Sequence, residues 1–103
     1  MFTVNRFTVL GNVGSVTVLN GATKVSIATD RSFKDNSGKR QQRTDWVPVT
    51  IFNEKMAAWV EENVEKGHKV YVEGRISSGS YGEGDNRKFS TDLIVDKFNS
   101  LED

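Results

Sequence analysis

The sequence predicts an all-β domain, five strands closing into a small barrel with one short helix between the third and fourth. Three observations carry this. Five segments alternate apolar and polar residues with period 2, or concentrate β-branched and aromatic residues. One segment, 53–67, repeats apolar residues at helical spacing instead. The chain has 103 residues and no cysteine, the size of a single domain that builds its core without disulfide or metal staples.

The strands are expected at 5–11, 15–33, 44–52, 69–76 and 89–98. Asn20-Gly21 is a strong tight-turn pair, so the second segment reads either as one bent strand or as a short strand, a hairpin turn and a longer strand. Gly11-Asn12-Val13-Gly14 matches neither the dinucleotide nor the phosphate-loop glycine spacing and precedes a strand, so it reads as a turn. In the third strand Val47, Val49 and Ile51 share one face, which must be core. The helix has Asn53 as its N-cap, Glu54 at the positive end of its dipole, and Met56, Val60 and Val64 on one face with Ala57 beside them. Gly67, preceded by Lys66, is expected to cap its C-terminus. The polar, Gly- and Ser-rich stretches 34–43 and 77–88 read as loops. No repeat or second domain is evident. The order strand, strand, strand, helix, strand, strand is that of the OB-fold, a five-stranded Greek-key barrel whose loops and one face take up oligonucleotides or oligosaccharides.

Composition excludes several chemistries. One histidine and no cysteine leave no Cys/His zinc site, thiol nucleophile or disulfide framework. No catalytic pattern surrounds His68, which reads as structural at the helix-to-strand junction. No metal or cofactor is expected. The N-terminus lacks a basic segment followed by an apolar run, and no stretch approaches the roughly 18 apolar residues of a membrane span. A soluble, cytoplasmic protein is the expectation.

Fourteen Lys and Arg balance fourteen Asp and Glu, which taken whole argues against a polyanionic partner. The distribution argues otherwise. Residues 24–44 hold six cations (Lys24, Arg31, Lys34, Lys39, Arg40, Arg43) and two anions (Asp30, Asp35), a local charge of +4. The compensating anions gather in 54–65 and at Asp92, Asp96, Glu102 and Asp103. Glu61, Glu62 and Glu65 read as a solvated helix face without metal-loop spacing.

Four aromatic residues stand out. The face of the third strand opposite Val47, Val49 and Ile51 presents Trp46, Pro48, Thr50 and Phe52, where a half-buried strand normally carries charged or small polar residues. Phe33 stands beside Lys34 at the mouth of the basic stretch, and Tyr81 lies in the polar run Ser78-Gly79-Ser80-Tyr81-Gly82-Glu83-Gly84. Bland readings stand beside these: Trp46 and Phe52 packed under a loop or between subunits, Phe33 as an inward strand end, Tyr81 folded onto its hairpin. Trp59 reads as a core or loop-packing residue. Rings interleaved with Lys34, Lys39, Arg40, Arg43, Arg87 and Lys88 are what a single-strand binder needs: cations for the backbone, π-faces for the bases.

At these residues the chain resembles the bacterial-type single-stranded DNA-binding proteins. The resemblance rests on Val4-Asn5-Arg6-Phe7-Thr8-Val9-Leu10-Gly11-Asn12-Val13-Gly14, Ile27-Ala28-Thr29 leading to Phe33-Lys34-Asp35, Arg43-Thr44-Asp45-Trp46 with Phe52, and Lys66-Gly67 followed by Val70-Tyr71-Val72-Glu73-Gly74-Arg75. It implies an OB-fold domain over residues 1–100 and stacking by Phe33, Trp46, Phe52 and Tyr81, the first and last usually Trp in the family. It also implies a homotetramer assembled partly through the first strand, and single-stranded DNA wrapped around several subunits in replication, recombination and repair. Two departures accompany it. Ser77, Gly79 and Ser80 stand where basic residues are usual. Residues 101–103 form a short end without the family's long disordered tail, whose acidic tip recruits replication and repair proteins. The expectation is a non-enzymatic, sequence-tolerant binder of single-stranded DNA, with Lys24, Arg31, Lys34, Lys39, Arg40, Arg43, Arg87 and Lys88 on the DNA backbone and Arg6 and Arg75 as additions. The alternative is an OB-fold protein-interaction module such as a primosomal adaptor.

Overall fold

The computed structural model describes residues 1–81, 84–86 and 88–102, with the backbone alone described at Ser80, Tyr81, Asn86 and Lys88. Five strands form a closed barrel in the order β1-β2-β3-β5-β4: β1 (Phe7–Leu19), β2 (Ala22–Lys34), β3 (Arg40–Ile51), β4 (Lys69–Tyr81) and β5 (Lys88–Ser100). The helix α1 (Glu54–Asn63) lies between β3 and β4, as expected, and a single 3₁₀ turn at Gly84–Asn86 lies between β4 and β5.

Register explains the core. Val25 faces Val49 and Ile27 faces Val47 across β2 and β3, Val9 faces Val72 across β1 and β4, and Val72 faces Phe98 across β4 and β5. Of these, Val25, Ile27, Val49, Val72 and Phe98, joined by Phe7, Val13, Ile51, Val70, Val95, the helix residue Val60 and Val64 just beyond the helix, form one buried cluster, against which Val9 packs half-buried. Val47, Met56 and Ala57 are half-buried at its margin. A ten-residue helix has little stability alone. Docking through Val60 and Val64 holds it, and Asn53 caps it by accepting a hydrogen bond from the Met56 amide at 3.0 Å. Asn53→Ala is expected to cost about 1 kcal/mol in urea denaturation.

Four expectations are corrected. Gly11-Asn12-Val13-Gly14 is not a turn but the middle of a continuous β1. This strand pairs with β4 through Phe7 to Asn12 and with β2 through Asn12 to Leu19. The register shifts between Val13 and Ser15, a bulge that bends the strand from one neighbour to the other. Second, α1 ends at Asn63 with Val64 as its C-cap; burial draws Val64 into extended backbone, and Gly67, at φ 95°, serves the following turn. Third, the loops are shorter than expected, because β2 runs through Lys34, β3 starts at Arg40 and β4 reaches Tyr81. Fourth, Thr50 is buried rather than presented outward, at the point where β3 pairs with β5 to close the barrel. The Asn20-Gly21 turn is present, Leu19 pairing with Ala22 and Gly21 taking φ 84°.

The strands outrun the barrel. β1 stops pairing with β2 at Ala28 and with β4 at Gly74, so beyond those points the β2–β3 and β4–β5 ribbons stand as two-stranded arms. The radius of gyration is 16.3 Å, against about 13 Å for a compact domain of this length.

Candidate nucleic-acid interface

The β2–β3 ribbon carries the basic sector, with Lys24 in its barrel-bound part and the other cations out along the arm. Its register runs unbroken from Thr23↔Ile51 to Lys34↔Arg40, so alternation assigns each side chain to a face. One face holds Lys24, Lys34, Arg40 and Trp46; the other holds Arg31, Phe33 and Arg43. Each face therefore combines one aromatic ring with cations. Two cross-strand pairs join like charges, Lys34 with Arg40 and Arg31 with Arg43, an arrangement that destabilises a bare ribbon and that an anion relieves.

Exposure separates the rings from the core. Trp46 is 59% exposed, Phe52 54% and Phe33 37%. Phe33 shares strand parity with the buried Val25 and Ile27 but lies out on the arm, past the last residue that β1 covers. The Arg31 guanidinium sits 5.2 Å from the Phe33 ring centroid, within cation–π range. Its Nε donates to Asp45 Oδ2 at 3.0 Å. Both partners of that ion pair are more than half exposed, so it contributes at most about 1 kcal/mol and can be exchanged for a phosphate.

The tip of the arm is ordered by one carboxylate. Asp35 Oδ1 accepts from the Ser37 amide at 2.9 Å, the Ser37 hydroxyl at 2.6 Å and the Lys39 amide at 3.0 Å, while Oδ2 accepts from Gln41 Nε2 at 3.0 Å. These bonds, led by the Ser37 hydroxyl, hold its carboxyl down at about 2 from the ordinary 3.8. Because the folded value is the lower one, the stabilisation these bonds contribute is complete above about pH 4 and declines as the pH falls from about 3.8 towards 2, where the carboxyl protonates in the folded protein. An NMR titration is expected to show the Asp35 carboxyl responding near pH 2, with the Ser37 and Lys39 amide signals moving in the same range.

Other candidates are placed differently. Lys39 lies in the tip turn and Arg6 just before β1, both exposed. Arg75, at the start of the β4–β5 arm, is paired with Asp96 at 3.1 Å. Phe52 follows β3 and lines a groove of about 270 Å³ between the β1–β2 hairpin and α1, beside Val18, Leu19 and Ala57, with Glu54 and Glu61 also lining it. Its surroundings are apolar and acidic, unlike those of Trp46. Arg87 and the side chains of Tyr81 and Lys88 lie outside the described residues. Trp59 is 43% exposed and His68 accepts a hydrogen bond from the Glu65 amide through Nδ1 at 3.2 Å; both line a groove at the opposite end of α1.

Sequence reasoning passed over Phe89, 77% exposed at the start of β5 opposite Ser80; its position beside Arg87-Lys88 was the available signal. It also missed Gly14, whose neighbour is Trp46, a contact that no local pattern encodes. Among the described residues no group of three or more His, Asp or Glu side chains is placed to hold a metal ion, and no helix is long and apolar enough to cross a membrane.

Comparison with known proteins gives the same fold. The chain superposes with a TM-score of 0.78 on a Plasmodium falciparum SSB in complex with ssDNA, at 22% identity and over 99% of this chain and 98% of that one. With the mitochondrial single-stranded DNA binding protein of S. cerevisiae the TM-score is 0.69, at 27% identity and 95% coverage of both chains. The single-stranded DNA-binding protein of Rhizobium meliloti is 33% identical over 94% of this chain, which spans 60% of that protein's length. That of Rickettsia felis is 31% identical over 94% of this chain and 69% of its own length. The model of the single-strand binding protein family matches residues 4–101, the whole barrel together with both arms. With a closed five-stranded barrel, a β3–β4 helix and a family match over nearly every residue, the chain belongs to the single-strand binding protein family.

Proposed function

We propose that this chain binds single-stranded DNA with little sequence preference and without catalysis, stacking bases on Phe33, Trp46, Phe52 and Tyr81 while the arm cations hold the phosphates. The observation that carries this reading is Trp46: a tryptophan more than half exposed, on the outer face of a strand whose inner face is core, and on the same arm face as the Lys34–Arg40 pair. Family membership and the names of the relatives support the same ligand. The role is protection and organisation of single strands in replication, recombination and repair, in the cytoplasm. Assembly is as a homotetramer partly through β1, where Leu10 is an exposed apolar residue.

Titration with oligo-dT at several salt concentrations tests the binding. Log affinity is expected to fall linearly with log salt, by about 0.7 for each phosphate neutralised; no binding at low salt contradicts the reading. Light scattering of the protein alone and with poly-dT gives the assembly.

For Phe52 a second reading is favoured by its setting. An apolar groove lined also by Glu54 and Glu61 suits an apolar protein side chain flanked by Lys or Arg better than it suits a phosphate chain. Under that reading Phe52→Ala leaves oligo-dT affinity unchanged, whereas under the stacking reading it weakens binding as Trp46→Ala does.

A further inference from the structure

We propose that Gly14 is the positioning residue for Trp46: its missing side chain is the seat in which the indole's edge rests, fixing the ring as a stacking platform. The inference rests on the DNA-binding reading above and adds the element that orients its principal ring.

Gly14 occupies the register shift between Val13 and Ser15. Its φ is not positive, so its backbone conformation does not itself demand glycine. The demand is spatial. The three atoms nearest to a Cβ built on Gly14 all belong to one side chain: Cζ3, Cε3 and Cη2 of Trp46. The built Cβ overlaps Cζ3, while the two ring neighbours of Cζ3 are equally distant at 3.1 Å. A point above the ring plane would lie closer to those neighbours, so the Cβ lies off the ring's edge, in line with Cζ3.

Topology then sets the ring's course. Trp46 stands on β3 and Gly14 on β1, with β2 between them, so the indole reaches across the outer surface of β2. The residue paired with Trp46 on β2 is Ala28, whose methyl leaves room beneath. One face of the ring is turned towards the sheet and the other towards solvent, consistent with 59% exposure. Alanine at position 14 drives the edge from its seat. The ring remains, displaced, and every cation on the arm is untouched.

The test uses the whole chain with Trp59→Phe, so that Trp46 is the sole fluorophore. Gly14→Ala is expected to raise acrylamide quenching of Trp46 in the free protein and to weaken oligo-dT binding by about 5-fold or more, the lower end of what one stacked base contributes. In a Trp46→Ala background the same change is expected to alter affinity by less than about twofold, because the two residues act as a unit. An equal loss in both backgrounds, or unchanged quenching and affinity, overturns the proposal. If Gly14→Ala fails to fold, Gly14→Ala with Trp46→Ala decides: recovery of the fold on removing the ring supports the seat, and failure of both overturns it. If the Trp59→Phe protein does not bind oligo-dT, the DNA-binding reading fails, while the acrylamide result still decides the seat.

Discussion

Trp46→Ala is expected to bind oligo-dT about 5- to 150-fold more weakly than the unaltered chain, the equivalent of about 1 to 3 kcal/mol for one stacked base. Its thermal midpoint is expected to stay close to that of the parent, because the ring is 59% exposed and lies on the outer surface of the barrel. Trp46→Phe retains a smaller platform and should fall between the two. The salt dependence of binding is expected to persist in both variants, since none of the arm cations is altered. An affinity unchanged by Trp46→Ala would place the ring outside the path of the strand.

Ile27→Ala is expected to do the reverse, lowering stability by about 2 to 5 kcal/mol while leaving the affinity of the folded fraction unchanged. Ile27 is fully buried, faces Val47 across β2 and β3 and Val13 across β1 and β2, and sits one residue from Ala28 on the opposite face. A domain of this size holds roughly 5 to 15 kcal/mol in total, so the loss is a large part of the whole. In thermal unfolding the midpoint should drop by roughly 10 to 30 °C. A fall of less than 1 kcal/mol in urea denaturation would mean that the site collapses around the cavity or that the strand is less buried than its register implies. Together the two substitutions separate the faces of the ribbon within the barrel, the inner serving the core and the outer the ligand.

The parts of this molecule that could be read from its sequence are those where one face is buried. In β3 the alternation of Val47, Val49 and Ile51 is a direct consequence of the pleat against a core, and it located both the buried face and the outward Trp46. Where the ribbon leaves the core that constraint lapses. Residues Lys34, Arg40, Gln41 and Gln42 carry no apolar alternation because neither face of the arm is covered, so a β-ribbon there has the composition of a loop. Gly11 and Gly14 show a different difficulty. Paired glycines signal a turn and a bulge equally, and what decides between them is that β1 has β4 on one side and β2 on the other, which is non-local information. The end of α1 was misplaced for a related reason, since burial of Val64 ends the helix before Gly67 is reached.

The site divides in the same way. Residue types identified the ring-and-cation composition, and the basic window 24–44 located it despite a net charge of zero. Parity and pairing needed the fold. Phe33 and Trp46 stand on opposite faces of the arm, Arg31 is shared between Phe33 and Asp45, and Phe52 sits in an apolar, acid-lined groove. None of these follows from the local sequence. A strand that meets both Phe33 and Trp46 must pass from one face of the arm to the other, and each face offers it a like-charged cross-strand pair, Arg31 with Arg43 or Lys34 with Arg40.

Fluorescence of Trp46 in the Trp59→Phe chain, followed during addition of oligo-dT at low salt, tests the central claim most directly. Base stacking on the outward face of the indole predicts strong, saturable quenching that reverses as salt is raised and the phosphates are released. Saturable binding detected by another probe with no change in Trp46 emission would contradict the claim, showing that the strand is held without the ring on which this account depends.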